Sequence, residues 1–396
     1  MTSLVHRESA SIIHTYRRLP VEFVRGEGSR LFDREGRSYL DCLSGIAVTS
    51  VGHSNARVAA AVAAQMESLV HVSNLFYTEP QVRLAERLCE LSGLDRVFFS
   101  NDGATANEAA IKLARRWGRE QRGPDCHEII SLDGSFHGRT LATLAATGQP
   151  EKQSAFSPLP PGFSQVPPGD LDALAAAIHP GTAAVLIETI QGEGGVLPLE
   201  EAYLTALRKL CDERRVLLIV DDVQAGIGRT GAWFSWQQLG FEPDIATSAK
   251  ALANGLPIGA CLATGAVAKA FRPGDHATTF GGGPVVCAAA LATLEVIEDD
   301  ELLANASARG AQLRRLLSEP AGVRSVRGRG LLLAAVLREP VAGQLVEAGL
   351  EEGLVVNNVR PDAVRFAPPL SITPAEAEEA AIRFSAVLGR LGTPST

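Results

Sequence analysis

The stretch "RRVLLIVDDVQAGIGRTG" (residues 214–231) joins a short apolar run to two adjacent acids, Asp221 and Asp222. The run 216–220 consists only of valine, leucine and isoleucine, which is typical of a strand buried on both faces of a sheet. Ligands of open α/β sheets bind beyond the carboxyl ends of the strands. A carboxylate pair at such an end therefore indicates a bound positive group: a metal ion, the magnesium of a nucleotide or a protonated ring nitrogen.

Similar short apolar runs lie on either side of this stretch. They are "RVFFS" (96–100), "EIISL" (128–132), "AAVLIE" (183–188) and "IATS" (245–248). Helical segments separate several of them, the clearest being "GATANEAAIKLARRWGRE" (103–120), where apolar residues recur at helical spacing. This alternation predicts an α/β fold, with a large domain whose mainly parallel sheet is covered by helices on both faces.

The two ends of the chain have a different pattern. Residues 21–42 alternate apolar and polar residues around glycine turns, which predicts a short antiparallel meander. Two strand-like stretches, 327–337 and 354–370, precede a closing helix for which Thr373 is the predicted N-cap. We expect both ends to build one smaller α+β domain beside the large ligand-binding domain. The expected division is an N-terminal segment of the small domain, the large domain and a C-terminal small domain, at residues 1–55, 56–290 and 291–396.

Composition excludes several classes of protein. The 396 residues carry a formal net charge of −8, which gives no electrostatic case for nucleic acid or an anionic membrane. The six cysteines show no CxxC spacing, which argues against structural zinc or a disulfide framework and favours a reducing compartment. No apolar run approaches the ~20 residues of a membrane span. We therefore expect a soluble, cytoplasmic protein.

A metal site is not favoured at the two aspartates. An acidic pair after a buried strand also occurs in phosphate-loop NTPases, but their GxxxxGK[ST] partner is missing, since the chain contains no Gly-Lys dipeptide. The histidines are dispersed, so additional metal ligands are not clustered in the sequence. A structural role for the acids, as caps of the next turn, stays open.

Lysine is scarce, so each of the five lysines can be weighed separately. Lys112 follows Glu108 and Lys209 precedes Glu213 by one helical turn, which predicts ordinary helical ion pairs. Lys250 differs because it follows a predicted strand and lies among small residues in "SAKALANG". A buried lysine loses its charge readily, and a neutral amine is what Schiff-base chemistry needs. A surface lysine at the start of a helix is the alternative.

The combination of features is more specific than any one of them. It comprises Lys250, an aspartate at position 221, a glycine-rich helix start at Gly103 and the "FHGR" turn at 136–139. Together they suit an aldehyde, a pyridinium nitrogen, a phosphate, a ring face and a substrate carboxylate. These are the groups of pyridoxal 5′-phosphate and an amino-acid substrate.

Ordered motifs over nearly the whole chain resemble the class III aminotransferases, in the fold type I group of pyridoxal-phosphate enzymes. Within that family the chain is most similar to the acetylornithine aminotransferases. The matching motifs are "TYRRLPVEFVRGEGSRLFDREGRSYLDCLSGIAV", "HVSNLFYTEPQ", "GATANEAAIKLAR", "FHGRT", "IQGEGGV", "AKALANGLPIGA", "GDHATTFGG" and "VRFAPPL".

The resemblance implies two catalytic residues. Lys250 binds the cofactor aldehyde and later moves the proton of the reaction, and Asp221 pairs with the ring nitrogen and keeps it protonated. The implied cofactor-binding residues are these two with Gly103 and Ala104 at the phosphate, Phe136 on the ring face, Gln224 near the ring hydroxyl, and Thr279.

Thr279 is implied to reach the phosphate of the neighbouring subunit, so that a homodimer shares its active sites. Arg139 is implied to bind the substrate α-carboxylate, and Thr278 is a further substrate-binding residue. Glu193 and Arg365 are implied to act as a switch. Glu193 neutralises Arg365 for an ω-amine donor and moves aside when the second carboxylate of 2-oxoglutarate enters. A permanent surface ion pair of little energetic value is the alternative.

The substrate follows from the resemblance and from one position. Ile46 stands where ornithine aminotransferases carry tyrosine, which favours N²-acetyl-L-ornithine as amino donor and 2-oxoglutarate as acceptor. The products are then N-acetyl-L-glutamate 5-semialdehyde and L-glutamate, as in arginine biosynthesis. Alternatives are another ω-aminotransferase, acting on ornithine, succinyl-diaminopimelate, carrier-bound lysine or 4-aminobutyrate, and a non-catalytic binding protein of the same fold.

Four residues depart from the family pattern near the proposed site. The family has serine or threonine, glutamate, glutamate and asparagine where this chain carries Asp102, Thr105, Asp222 and Gly283. Asp102 places a negative charge beside the proposed phosphate unless its carboxylate caps the helix instead.

Overall fold

The computed structural model describes residues 4–391. Its strands are β1 (Phe23–Glu27), β2 (Arg30–Asp33), β3 (Ser38–Asp41), β4 (Arg96–Ser100), β5 (Glu128–Leu132), β6 (Phe163–Val166), β7 (Thr182–Ile187), β8 (Ile190–Gln191), β9 (Leu197–Pro198), β10 (Leu217–Asp221), β11 (Ile245–Ser248), β12 (Gly259–Ala263), β13 (Val323–Arg329), β14 (Leu332–Leu337), β15 (Leu354–Val355), β16 (Asn357–Arg360) and β17 (Ala363–Phe366). Its α-helices are α1 (Leu4–Ser11), α2 (Ser44–Ala47), α3 (Ala56–Ser68), α4 (Glu79–Ser92), α5 (Gly103–Arg122), α6 (Leu141–Ala146), α7 (Pro150–Gln153), α8 (Leu171–Ala177), α9 (Glu201–Arg214), α10 (Gly265–Ala268), α11 (Pro284–Asp299), α12 (Leu302–Ser318), α13 (Ala342–Glu351) and α14 (Pro374–Leu391).

A seven-stranded sheet forms the centre of the molecule, in the order β4-β12-β11-β10-β7-β5-β6. Its pairings are parallel except at β12, which runs antiparallel to both β11 and β4. Every residue of β7, β10 and β11 is buried, as expected for strands covered on both faces. The predicted α/β fold class is confirmed, and the carboxyl ends of β7, β10 and β11 lie side by side.

Helix α5 packs on the sheet through small side chains. Its buried positions include Ala106, Ala110 and Ala114, so that the helix axis comes close to the strands. The helix begins after Asp102, which caps it, and the capping box is completed by Thr105. The start of α5 is thereby fixed near the carboxyl ends of the strands.

Two smaller sheets are built from the ends of the chain. The predicted meander is present as β1 to β3, and β15 extends this sheet by pairing parallel with β3, where Leu354 lies opposite Leu40. The second sheet has the order β13-β14-β17-β16 and is antiparallel. Thr373 caps the closing helix: its hydroxyl accepts from the backbone N–H of Glu376 at 3.2 Å.

The proposed domain limits stay a prediction. Helix α11 extends across residue 290 and packs against α3 and α4 of the proposed large domain.

The six cysteines are free thiols. Residues 4–391 contain no helix able to cross a membrane and no group of three or more His, Cys, Asp or Glu side chains that could bind a metal ion.

Candidate active site

A cavity of about 390 Å³ opens beyond the carboxyl ends of the central strands. This volume lies within the range of small-molecule sites, about 300–1,000 Å³. Most of the residues singled out by the sequence line it: Gly103, Ala104, Phe136, Arg139, Glu193, Asp221, Gln224 and Lys250.

Lys250 lies in the cavity rather than on the outer surface. It lies just after β11, from which Ala249 separates it, and starts a short 3₁₀ turn with a φ of 41°, an uncommon and strained conformation for a residue with a side chain. Burial lowers the pKa of the Lys250 amine, and the nearby charge of Glu193, which acts to raise it, does not offset the effect of burial. The net shift favours the neutral, nucleophilic amine.

Asp221 is held by three hydrogen-bond donors. Its Oδ2 accepts from Asn107 Nδ2 at 2.7 Å and lies 2.8 Å from His137 Nδ1, while its Oδ1 accepts from the Val223 backbone at 3.1 Å. Thr247 in turn donates to Asn107 Oδ1 at 2.7 Å. Such donors stabilise an ionised carboxylate, so Asp221 is suited to hold a protonated ring nitrogen.

Asn107 was missed by the sequence reasoning. A signal was present, since Asn107 is a polar residue between Ala106 and Ala110 on the buried face of α5. Buried polar side chains are hydrogen-bonded, and a search for the partner of such a residue leads toward a site.

Asp222 does not share the surroundings of Asp221. Its Oδ2 accepts from the backbone N–H of Ser235 at 3.0 Å, and its side chain does not line the cavity. Burial raises the pKa of Asp222 to about 7. The two acids of the strand end are therefore not a pair.

The start of α5 offers an anion site. Asp102 Oδ1 accepts from the backbone of Thr105 at 2.8 Å, which leaves the N–H groups of Gly103 and Ala104 without a partner among residues 4–391. A β-carbon at Gly103 would lie 2.6 Å from Val223, so only glycine fits here. Asp102 thus caps the helix, the second of the two roles considered for it.

Phe136 and Arg139 lie side by side in the cavity wall. The guanidinium carbon of Arg139 lies 5.6 Å from the centre of the Phe136 ring. Arg139 is exposed and has no ion-pair partner within the described part of the chain, so its charge is available to a carboxylate.

Glu193 and Arg365 form an ion pair inside the cavity wall. Arg365 Nη1 donates to Glu193 Oε1 at 2.6 Å and to Gln224 Oε1 at 3.0 Å, and Gln224 Nε2 donates to Glu193 at 3.2 Å. The Arg365 side chain is 0% exposed, which rules out the alternative of a surface ion pair. Burial acts to raise the pKa of Glu193, yet the guanidinium of Arg365 brings it below its ordinary value.

Glu188 is a second residue that the sequence reasoning missed. It follows β7, lines the cavity and accepts from the backbone of Phe136 at 3.0 Å and of Gly192 at 3.3 Å. Burial, and then the charge of Asp221, raises the pKa of Glu188 well above its ordinary value. The signal in the sequence was the position of Glu188 at the end of a predicted strand, where ligands of such sheets bind.

Thr278 and Thr279 do not line the cavity, and neither does the buried Arg365. Thr278 Oγ1 lies 3.5 Å from Asn101 Oδ1, and Asn101 lines the cavity. Thr279 is exposed and does not line the cavity of its own chain. A role for Thr279 requires a second subunit.

One of the two predicted helical ion pairs is present. Lys209 lies 3.8 Å from Glu213, as expected. The pair between Lys112 and Glu108 was wrong, because Glu108 accepts from a threonine hydroxyl and Lys112 Nζ instead lies 2.8 Å from His276 Nδ1.

The side chains present fit pyridoxal 5′-phosphate. The cavity contains a nucleophilic amine, a carboxylate held by three donors, two backbone N–H groups at a helix start that have no partner in the described part of the chain, and an aromatic wall. The residues suited to hold the cofactor are Lys250, Asp221, Phe136, Gly103 and Ala104.

Known proteins resemble the chain over almost its whole length. Residues 12–388 match the family model described as aminotransferase class-III. An acetylornithine aminotransferase of Gloeobacter violaceus is 50% identical over 385 residues, covering 96% of each chain.

Two solved structures extend the comparison. The N-acetylornithine aminotransferase of Stenotrophomonas maltophilia superposes with a TM-score of 0.84 at 38% identity, covering 97% of this chain and 99% of that one. An ornithine aminotransferase of Toxoplasma gondii, with partial occupancy of PLP at its active site, superposes with a TM-score of 0.93 at 33% identity, covering 97% and 93%.

Proposed function

The chain belongs to the class-III aminotransferases, and from this membership we propose that it transfers the terminal amino group of N²-acetyl-L-ornithine to 2-oxoglutarate. The products are N-acetyl-L-glutamate 5-semialdehyde and L-glutamate. The enzyme is a pyridoxal-phosphate-dependent aminotransferase. One observation carries the proposal: Lys250, Asp221 and Glu193 line one cavity, and Glu193 is paired with the buried Arg365.

The cofactor supplies an aldehyde that carries the amino group and a ring that withdraws electrons from the substrate carbon. The protein supplies the remaining functions. Lys250 gives up its proton readily because it is buried, so Nζ can accept a proton from the substrate carbon and return it. Asp221, whose carboxylate is held by Asn107 and His137, would pair with the ring nitrogen.

Two substrates of different charge must use the same cavity. Arg139, exposed and unpaired within residues 4–391, binds the α-carboxylate of either substrate. With the amino donor, Glu193 neutralises Arg365. With 2-oxoglutarate, the Glu193 side chain turns away and the second carboxylate takes its place on Arg365, whose Nη2 atom is buried without a partner among the described residues.

The amino donor is distinguished at the cavity entrance. N²-acetyl-L-ornithine has no free α-amine, so the enzyme needs no polar group to recognise one. Ile46, which precedes the cavity residue Val48, is apolar and 38% exposed. Another ω-aminotransferase activity remains the second candidate, favoured only by the family membership.

A homodimer completes the site. Large apolar side chains are exposed beside Thr279, namely Leu75 at 84%, Phe76 at 66%, Tyr77 at 98% and Phe280 at 69%. Asn74 donates to the carbonyl of Gly281 at 3.0 Å, so these side chains belong to one continuous surface. Exposed apolar surface of this kind marks a protein interface, and a second copy would bring its Thr279 to the neighbouring phosphate.

The six free thiols of the chain support a reducing, cytoplasmic location for the protein.

Lys250→Ala tests the reaction. The wild-type protein with pyridoxal 5′-phosphate should show the absorbance band of a lysine-bound cofactor, and N²-acetyl-L-ornithine should convert it to the amine form. Lys250→Ala should lose both the band and at least about 10⁴-fold in kcat, because the nucleophile is removed. Lys112→Ala, on the exposed face of α5, is the matched control and should retain both.

Two results would contradict the proposal. A wild-type protein without the band in saturating cofactor is not an enzyme of this kind. Faster conversion by ornithine than by N²-acetyl-L-ornithine would replace the substrate with that of the second candidate.

A further inference from the structure

Two arginines hold the backbone next to Glu193. Glu193 lies in the turn at residues 192–195, within the connection 192–196 between the short strands β8 and β9. Arg360 Nε donates to the carbonyl of Gly194 at 2.7 Å, and Arg327 Nε donates to the carbonyl of Gly195 at 2.9 Å. We refer to residues 192–195 as the Glu193 loop.

Neither arginine is placed there by an acidic partner. Within residues 4–391 neither forms an ion pair, whereas Arg324 on the same strand as Arg327 pairs with Asp362 at 2.9 Å. Burial lowers the pKa of Arg327, and the neighbouring charge of Arg360 lowers it further. Two like charges side by side repel each other. The hydrogen bonds to the loop carbonyls are the favourable interactions that offset this repulsion.

The loop is also fixed at its other end. Glu188 accepts from the backbone N–H of Gly192 at 3.3 Å, so bonds lie on both sides of Glu193. Gly195 has a φ of +121°, and a β-carbon there would lie 2.7 Å from Arg360 Nε and 2.8 Å from Arg327 Nη2. The glycine allows both guanidinium groups to approach the backbone closely.

The arginines that hold the loop and the arginine that binds Glu193 come from the same sheet. Arg327 lies in β13, Arg360 in β16 and Arg365 in β17. These strands belong to the four-stranded sheet β13-β14-β17-β16. A single rigid element therefore sets both the position of the loop backbone and that of the Arg365 guanidinium.

We propose that Arg327 and Arg360 are positioning residues that hold the Glu193 loop against the sheet carrying Arg365, so that Glu193 changes partner by rotating its side chain while the backbone stays in place. This inference rests on the proposed function, in which Glu193 and Arg365 separate when 2-oxoglutarate binds. The bonded state of the pair serves the amino donor, and the separated state serves the oxo acid.

Loosening the loop should affect the two substrates unequally. A looser loop weakens the contact between Glu193 and Arg365. The positive charge of Arg365 then lacks its counter-charge when the amino donor binds. Loss of one loop bond should raise the KM for the amino donor, N²-acetyl-L-ornithine, about fivefold, the equivalent of a typical hydrogen bond. The KM for the oxo acid should stay unchanged or fall, because its carboxylate competes with a weaker partner.

The experiment compares Arg360→Met and Arg327→Met with Arg324→Met as the matched control. Each half-reaction of the cofactor-loaded protein is followed separately by absorbance, and hydrogen exchange of the loop amides is measured on the same samples. Both loop variants should raise the KM for the amino donor alone and speed exchange at residues 192–195. Arg324→Met should do neither. Arg360 is exposed, so Arg360→Met keeps the test available if Arg327→Met does not fold.

Equal losses for both substrates, or a raised KM for the oxo acid, would overturn the inference. Arg365→Ala separates this outcome from failure of the proposed switch. It should weaken binding of the oxo acid far more than that of the amino donor, and an equal loss there refutes the switch itself. If Arg365→Ala behaves as expected while the loop variants lose both substrates equally, only the positioning role is refuted.

Discussion

Asp221 and Asp222 are neighbours in sequence whose carboxylates meet different surroundings. Side chains alternate in direction along a strand, so Asp221 at the end of β10 lines the cavity and Asp222 points into the protein interior. Asp221 has three donors, whereas Asp222 Oδ1 has no partner among residues 4–391. Burial disfavours the ionised form of Asp222 by more than the hydrogen bonds of Ser235 favour it, which accounts for the pKa of about 7.

The raised pKa of Asp222 predicts a pH-dependent stability. An unfolded aspartate has a pKa near ~3.9, so between about pH 4 and 7 the folded protein binds the additional proton. Stability from this group is complete below about pH 4 and is lost as pH rises toward 7, by up to roughly 4 kcal/mol. Asp222→Asn should remove this decline, measured as the free energy of unfolding in urea across the range.

Asp170→Asn is the matched control for that measurement. Asp170 caps α8 by accepting from Ala173 at 2.8 Å, a bond that asparagine also makes, so the pH dependence should persist. An unchanged decline in Asp222→Asn would show that other groups cause it.

At the scale of the element, the start of α5 combines a capping function with a binding function. The Asp102 carboxylate stabilises the helix but also lines the cavity, close to the N–H groups of Gly103 and Ala104. A negative charge favours a helix start and disfavours a second anion beside it. Serine at this position would keep the cap and remove the charge.

Asp102→Ser and Asp102→Ala therefore separate the two functions. Asp102→Ser should bind pyridoxal 5′-phosphate more tightly, by about two- to fivefold at low salt, with little change in stability. Asp102→Ala should lose about 1 kcal/mol of stability with the cap. Cofactor affinity by absorbance titration and unfolding in urea measure the two effects, and weaker binding by Asp102→Ser would contradict the electrostatic argument.

Elements with strong local patterns were predictable from the sequence. The buried strands and α5 show clear periodicity, and Thr373 carries a capping signal that depends on neighbouring residues only. Strands β6 and β12 were not identified, because polar residues in "FSQV" and small residues in "GACLA" interrupt the apolar, β-branched run that marks the other strands. The antiparallel direction of β12 could not be predicted, because β12 is inserted between β11 and β4, and β4 lies far earlier in the chain.

The residues of the site fall into the same two groups: those with a local signal in the sequence and those whose contacts form only in the folded protein. Lys250 and Asp221 were found because each follows a recognisable strand. The contacts of Asn107 and Glu188 join segments that come together only in the folded protein. The i, i+4 rule predicted an ion pair for Lys112 that tertiary contacts with His276 replace.

At the scale of the whole molecule, the proposed homodimer assigns Thr279 and Lys250 of one chain to different cavities. Thr279 is exposed and lies outside the cavity of its own chain, next to the apolar surface proposed for the dimer. If each active site takes Lys250 from one subunit and Thr279 from the other, defects in the two residues complement each other within a hybrid dimer. If each subunit instead supplied both residues to its own site, the two defects would not complement each other.

Mixing Lys250→Ala with Thr279→Asp should therefore restore activity. Each variant alone should be nearly inactive, the first without its nucleophile and the second with a negative charge at the neighbouring phosphate. Random reassortment makes half of the dimers hybrids with one complete site each, so the mixture should reach about a quarter of the wild-type specific activity. The same mixture without subunit exchange is the control. Activity that stays at the average of the two variants after exchange would place Thr279 outside the shared active site.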